Sequence, residues 1–447
     1  MITIHSSGNN NITFTMRKIV VCLIVGLCVP YIMSASVSNP RYYGAKGDGI
    51  ADDTQAIQEA LDKCGDVFLP MGKYRTTKKL VIHSNTVFYG EVGSIIFPEK
   101  DSFVIMNEHA QDEGSDENIT ISNLEINAER VNAISEYSAG LYLCDINNVK
   151  VSGCTIRNVG GDGIYIGRSR ESIDNSNVLI EESSLYNCGR SQSNPRQSIA
   201  VISGKGIVIR DCVMENNRKQ AYAIDFEPNK PYEGGDVSIS DCRIKGAGIS
   251  CLGHKSAKKS VKIQGCTISA GDVDCYSVAL NNCSGFIKDN TLKPSAKSNG
   301  IILSNSPGVS ISGNTITGAS SAIMLTEGSN GVIIKNNKIS GCSEGVYLFE
   351  SNDVEIIRND IVNISNNGVY SRMESNNLII RNNYITASKF DVYSVQGSNH
   401  LIKRNTCNSE SYNICVDNET CSIQSNKYKK KIVVNGKSME GKNKKIK

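Results

Sequence analysis

The sequence predicts an all-β chain built as one parallel β-helix solenoid, and three features predict it. A short phrase of alternating apolar and polar residues recurs along residues 118–408, a second alternating segment follows nearly every copy, and one turn position repeats as a column of small or amide side chains. The phrase reads NITISNLEI from Asn118, NVKVSGCTI from Asn148, NVLIEESSL from Asn177, GIVIRDCVM from Gly206, DVSISDCRI from Asp236 and SVKIQGCTI from Ser260. It continues from Gly285, Gly308, Gly331, Asp353, Asn377 and, weakly, His400. A period of two buries one face of a strand. The second segments, such as GIYI from Gly163, AIDF from Ala223 and GVYL from Gly345, alternate in the same way. With no helical period between them, the repeats are coils whose rungs each cover the apolar interior of the rung before.

The turn column reads Leu124, Cys154, Ser183, Cys212, Cys242, Cys266, Asn290, Asn314, Asn337, Asn359, Asn383 and Thr406. Inward asparagines can bond the rungs above and below, and cysteines can stack in the same slot. The cysteines therefore read as reduced core residues, since no CxxC pair is present and a long solenoid core needs no staples.

Composition agrees. The chain has 447 residues with 39 glycines, no tryptophan, 39% hydrophobic and 21% charged residues. These values exclude a disordered chain, a multispanning membrane protein and a collagen. The formal charge of +3 calls for neither nucleic acid nor an anionic membrane as partner.

Towards the N-terminus, Met16-Arg17-Lys18 precedes an apolar run from Ile19 to Val29, with small residues after it. A basic start and a short apolar core read as a secretory signal over residues 1–35, with Met16 as the true start and no membrane span in the mature chain. The expected location is secreted, periplasmic or at the cell surface. Residues 36–65 are expected as an N-terminal cap, 66–425 as the solenoid and 426–447, rich in lysine, as a solvated tail.

Residues 39–72, NPRYYGAKGDGIADDTQAIQEALDKCGDVFLPMG, resemble the opening of the pectate-lyase-like superfamily, in its rhamnogalacturonase- and epimerase-like branch. The resemblance implies a right-handed parallel β-helix with an N-terminal capping helix, and activity on polysaccharides. Asp52 or Asp53 would cap a helix from about Thr54 to Cys64 whose apolar face plugs the first coil. The motifs of polygalacturonases do not appear in order along the coils, so their catalytic residues are not carried over.

Rung length localises a site. Down the turn column the intervals are about 30 residues between 124 and 242 and about 23 afterwards. Extra length in a solenoid leaves as surface loops, here 129–139, 186–197 and 228–235, and adjacent loops wall a cleft. Stacking the second strands places Tyr142, Tyr165, Ala200, Asp225 and Ser250 in one outward column, with Glu227 two residues beyond Asp225. Asp225, Glu227 and Arg196 are the candidate catalytic residues. Tyr165, Arg168, Asp162, Gln197, Tyr142, His254 and Lys255 are candidate substrate contacts, because guanidinium groups pair with sugar carboxylates or sulfates and aromatic rings stack on pyranoses.

The expected partner is thus a polysaccharide or oligosaccharide. Hydrolysis by two carboxylates needs no metal or other cofactor. β-Elimination or C5 epimerisation of a uronate would call instead for Ca²⁺ held by Asp162, Asp225 and Glu227, with a basic residue such as Arg196 at the proton. A non-catalytic glycan-binding solenoid is the third reading. Tyr347, Tyr370 and Tyr393 are expected as a structural ladder.

Overall fold

The computed structural model describes residues 37–446 except 64, 101, 130–137, 169–173, 191–195, 217–221, 231–232, 255–258, 270–274, 419 and 439–441. The expected signal segment, with Cys22 and Cys28, lies outside the described residues.

From Ser38 onward the chain winds into three parallel sheets of 15, 16 and 17 strands that run along the whole unit. Strands about three apart in sequence pair with each other, for example Val149 with Val178, Val178 with Ile207 and Ile207 with Val237. This is the predicted parallel β-helix. Its interior is a continuous column of Ile, Val and Leu, including Ile164, Ile166, Val201, Ile224 and Ile249, none of which reaches solvent.

The capping helix, Thr54–Leu61, buries Ala56, Ile57, Ala60 and Leu61. It is shorter than the expected stretch to Cys64. Asp52 Oδ1 accepts the N–H of Thr54 at 3.1 Å, whereas Asp53 turns away to accept the N–H groups of Lys46 and Gly47. The carboxylates of this segment hold a turn and a helix start. Gln58 then covers the open edge of strand Leu80–Ile82, donating to Val81 O and accepting from Val81 N, both at 2.9 Å. An unpaired edge would otherwise invite another strand.

The turn column is buried as predicted. Asn290 donates its Nδ2 to Asn314 Oδ1 at 2.9 Å, Asn314 to Asn337 at 3.0 Å, Asn337 to Asn359 at 3.0 Å and Asn359 to Asn383 at 3.1 Å. Each Oδ1 also accepts a backbone N–H, as Asn337 does from Asn314, so the amides are satisfied along the axis. The last step differs from the expectation. Asn405, not Thr406, continues the ladder, because Thr406 is already in the strand with its N–H on Asn383 O.

The lysine-rich end also departs from a solvated tail. Lys427–Tyr428 pairs with Thr406–Cys407, Lys444–Lys445 pairs with Lys427–Tyr428, and the asparagine ladder runs on through Asn426 to Asn443. Alternation still decides: Tyr428 and Ile432 face the core between exposed lysines. All thirteen described cysteines are free, and twelve of them are buried.

Candidate active site

The site lies on the outer face of the third sheet, where Tyr142 pairs with Tyr165, Tyr165 with Ala200, Ala200 with Asp225 and Asp225 with Ser250. The predicted outward column is therefore the observed one. Ile164 and Ile166, either side of Tyr165, are fully enclosed while Tyr165 keeps partial exposure. Asp225 is only 7% exposed despite its outward register, and Glu227 is exposed.

Two glycines allow the backbone around the site to close up. Gly189 has φ +70°, and a Cβ there would stand 2.0 Å from Arg196 O. A Cβ on Gly163 would stand 2.6 Å from Ser198 O. Larger residues would push Arg196 and the Asp162 strand outward.

Asp162 is the anchor. Its Oδ2 accepts from Arg196 Nη2 at 3.1 Å and Nε at 3.3 Å, and its Oδ1 accepts the Gln197 N–H at 2.9 Å. Burial pushes its carboxyl up to about 6 against the pull of Arg196, so at neutral pH it remains the carboxylate partner of the guanidinium. Gln197 Nε2 reaches on to Asp225 Oδ2 at 3.3 Å. Asp225 Oδ1 and Gln197 Oε1 are buried without a hydrogen-bond partner among the described residues. Burial lifts Asp225 to about 6 as well, helped by the charges of Glu227 and Asp162 and opposed by the Ser250 hydroxyl and the Lys259 charge. A buried carboxyl with one free oxygen is poised to hold or pass a proton.

Beside these groups is a cavity of about 220 Å³ lined by Phe103, Ser138, Ala139, Tyr142, Asp162, Tyr165 and Arg196. Its aromatic wall is a stack: Phe103 on Tyr142 with centroids 3.9 Å apart, and Tyr142 on Tyr165 at 5.0 Å. Burial raises the hydroxyl pKa of both tyrosines, keeping them neutral hydrogen-bond donors.

The structure thus brings together Asp162, Arg196, Gln197, Asp225, Tyr142 and Tyr165. Arg168 turns to Asp174, 3.8 Å away. His254 is half-buried beyond the Ser250 rung, and Lys255 lies outside the described residues.

Two participants escaped the sequence reading. Phe103 belongs to the coil before the recognised repeats. Lys259 directly precedes the phrase that starts at Ser260. Parity with Val261 and Ile263 turns it inward, where its Nζ donates to Ile202 O at 3.4 Å and lies 4.8 Å from the Phe226 ring centroid. Burial lowers this lysine to about 8, placing a cation just beneath the strand that carries Asp225.

Of the three carboxylates named for a Ca²⁺ site, Asp162 has both oxygens engaged by Arg196 and Gln197. Among the described residues, Glu108, His109 and Asp116 group their ligand atoms within 4.8 Å. Asp116 there is held by Ser84, Asn107 and His109, so hydrogen bonding accounts for the group.

Residues 37–272 match the family model described as Rhamnogalacturonase A/epimerase, pectate lyase-like. The chain belongs to this pectate-lyase-like family. Residues 276–428 match the right-handed β-helix region. Among curated relatives, this pectate-lyase-like chain is 28% identical over 220 residues to Alginate lyase 7 of Azotobacter vinelandii, covering 46% of this chain and 22% of that protein. It is 24% identical over 255 residues to a capsule-specific depolymerase of Klebsiella phage K64-1, covering 54% and 27%. The chain therefore spans about a quarter of the length of these relatives. In fold it resembles the tailspike protein of E. coli bacteriophage HK620, with a TM-score of 0.52 at 15% identity over 87% of this chain and 75% of that one. Among the described residues no helix is long and apolar enough to cross a membrane.

Proposed function

We propose that this protein is an exported polysaccharide-processing enzyme that cleaves glycosidic bonds by hydrolysis, with Asp225 as general acid and Glu227 as general base. The observation that carries this reading is the Asp225 carboxyl: buried, raised to about 6, with Oδ1 lacking a hydrogen-bond partner among the described residues. Asp225 gives its proton to the glycosidic oxygen as the bond to the anomeric carbon breaks. Glu227, exposed to solvent just past the end of that strand, takes a proton from the water that attacks that carbon. Two residues apart along extended chain, their Cα atoms are separated by about 6.6 Å. Arg196, held charged by Asp162, and the tyrosine wall orient the sugar.

A second reading has its own observation. The Arg196–Asp162 pair and Tyr165 line one cavity, and a relative carries the name alginate lyase. Here Arg196 neutralises a uronate carboxylate, Glu227 takes the C5 proton, and the C4–O bond breaks as Asp225 gives a proton to the leaving oxygen. Export rests on the Met16–Val29 segment. Incubating purified protein with neutral and acidic polysaccharides, while recording reducing ends and near-ultraviolet absorbance, separates the two. Hydrolysis yields reducing ends without the absorbance of an unsaturated sugar, and elimination yields both.

A further inference from the structure

Among the described residues Lys259 is the single lysine or arginine that is buried. It opens strand Lys259–Gln264, whose other inward positions are the apolar Val261 and Ile263. An enclosed charge costs free energy that an aliphatic side chain in the same place would not. Among the described residues its compensation inside the coil is thin: the Ile202 carbonyl accepts from Nζ at 3.4 Å, and the Phe226 ring centroid lies 4.8 Å away. The thiols of Cys251 and Cys283 interact with it too, but burial holds both protonated, that of Cys283 being pushed up to about 12.

The two groups it touches bracket the candidate chemistry. Phe226 is the inward residue between Asp225 and Glu227, and Ile202 follows Val201, whose carbonyl accepts the Glu227 N–H at 3.0 Å. Val201 pairs with Phe226 and Phe226 with Cys251. Lys259 enters its sheet after the Cys251 strand, so its side chain reaches back past the corner of Glu227 to the rung before it, two rungs or about 10 Å along the axis. The ammonium therefore stands on the inner side of the strand whose outer side carries Asp225. Backbone screens a charge far less than water does. The negative groups that act on Lys259 are Asp225 and Glu233, the latter buried on the loop after Glu227, where it accepts the N–H groups of Asn229 and Lys230.

We propose that Lys259 is a positioning residue acting from inside the coil, whose fixed positive charge stabilises the carboxylate that Asp225 becomes as its proton passes to the glycosidic oxygen. The Asp225 O–H bond breaks, the proton goes to the leaving oxygen, and the electron pair left on Asp225 faces the Lys259 ammonium, which keeps its own protons throughout. An interaction that grows as charge develops lowers the barrier rather than tightening substrate binding. The proposal rests on the reading of Asp225 as the acid. At neutral pH Lys259 is still mostly charged, since burial brings it down only to about 8.

Lys259→Met and Lys259→Gln both remove the charge, and Gln keeps a donor for the Ile202 carbonyl. The Asp225 titration is read by NMR from its isotope-labelled carboxyl carbon, assigned with Asp225→Asn and recorded in buffer containing EDTA, so it needs no turnover. Rates are measured beside it on a polysaccharide that wild type cuts. In both variants the Asp225 titration is expected to move up by at least about one pH unit, and the limb of the pH–rate profile to move with it. KM is expected to stay within about twofold of wild type. Gln carries the test alone if Met does not fold. An Asp225 titration that stays in place in a folded variant overturns the proposal and leaves Lys259 a structural residue. A displaced titration in a chain that cuts no polysaccharide keeps Lys259 as the charge behind Asp225 and overturns the hydrolytic reading.

Discussion

Gln197 donates from its side-chain Nε2 to Asp225 Oδ2 at 3.3 Å while its main-chain N–H holds Asp162 Oδ1 at 2.9 Å, so one residue couples the Arg196 ion pair to the candidate acid. Gln197→Leu keeps the backbone bond and removes the side-chain one. A donor to a carboxylate stabilises the charged form, so its loss raises the Asp225 pKa further. The expected outcome is a pH–rate profile displaced to higher pH, with the circular-dichroism spectrum and Tm close to wild type.

The pH profile follows from the same carboxyl. Asp225 titrates at about 6 and must be protonated to act as the acid. In the hydrolytic reading kcat/KM therefore falls as pH rises above about 6, and in Gln197→Leu the same limb moves to higher pH. Initial rates across buffers from acid to neutral check both the sign and the shift.

How much of this was legible follows from solenoid geometry. In a β-helix, register repeats with each coil, so aligning GIYI, SIAV, AIDF and GISC was enough to put Tyr165, Ala200 and Asp225 in one column. What repeats could not show is what crosses between columns. Arg196 and Gln197 arrive at the end of a long loop, and their bonds to Asp162 and Asp225 depend on its path. Lys259 was within reach of the parity rule, but lysine is rarely placed inside a core. Thr406 was one residue off because the last recognised phrase is weak and starts at His400. At the lysine-rich end, charge alone points to solvent, whereas alternation buries Tyr428 and Ile432.

The asparagine ladder carries a stability prediction. Asn337 is 1% exposed, donates to Ile311 O at 3.0 Å and to Asn359, and accepts the Asn314 N–H. Asn337→Leu leaves these buried groups unpaired and should cost on the order of 1–3 kcal/mol in denaturant unfolding.

His400 sets an acid limit. It is 2% exposed, its Nδ1 lies 3.3 Å from the Leu378 N–H that it accepts, and its Nε2 is 2.7 Å from Ser394 Oγ. Burial lowers its pKa to about 4, so the folded state holds it neutral while the unfolded chain protonates near 6.5. Its contribution is complete above 6.5 and is lost as pH falls towards 4, to a limit of roughly 3 kcal/mol. Urea midpoints of wild type and His400→Gln should differ less at pH 4 than at pH 7.

The central claim is that Asp225, on an outer strand, and Glu227, just past its end, do the chemistry. It is tested most directly by product analysis on an acidic polysaccharide that wild type cuts, with Asp225→Asn and Glu227→Gln compared at equal concentration and equal Tm. Each substitution is expected to lower turnover by at least a hundredfold while oligosaccharide binding persists. Turnover within a few-fold of wild type in either variant would contradict the assignment and move the chemistry to Asp162, Arg196 and Tyr165.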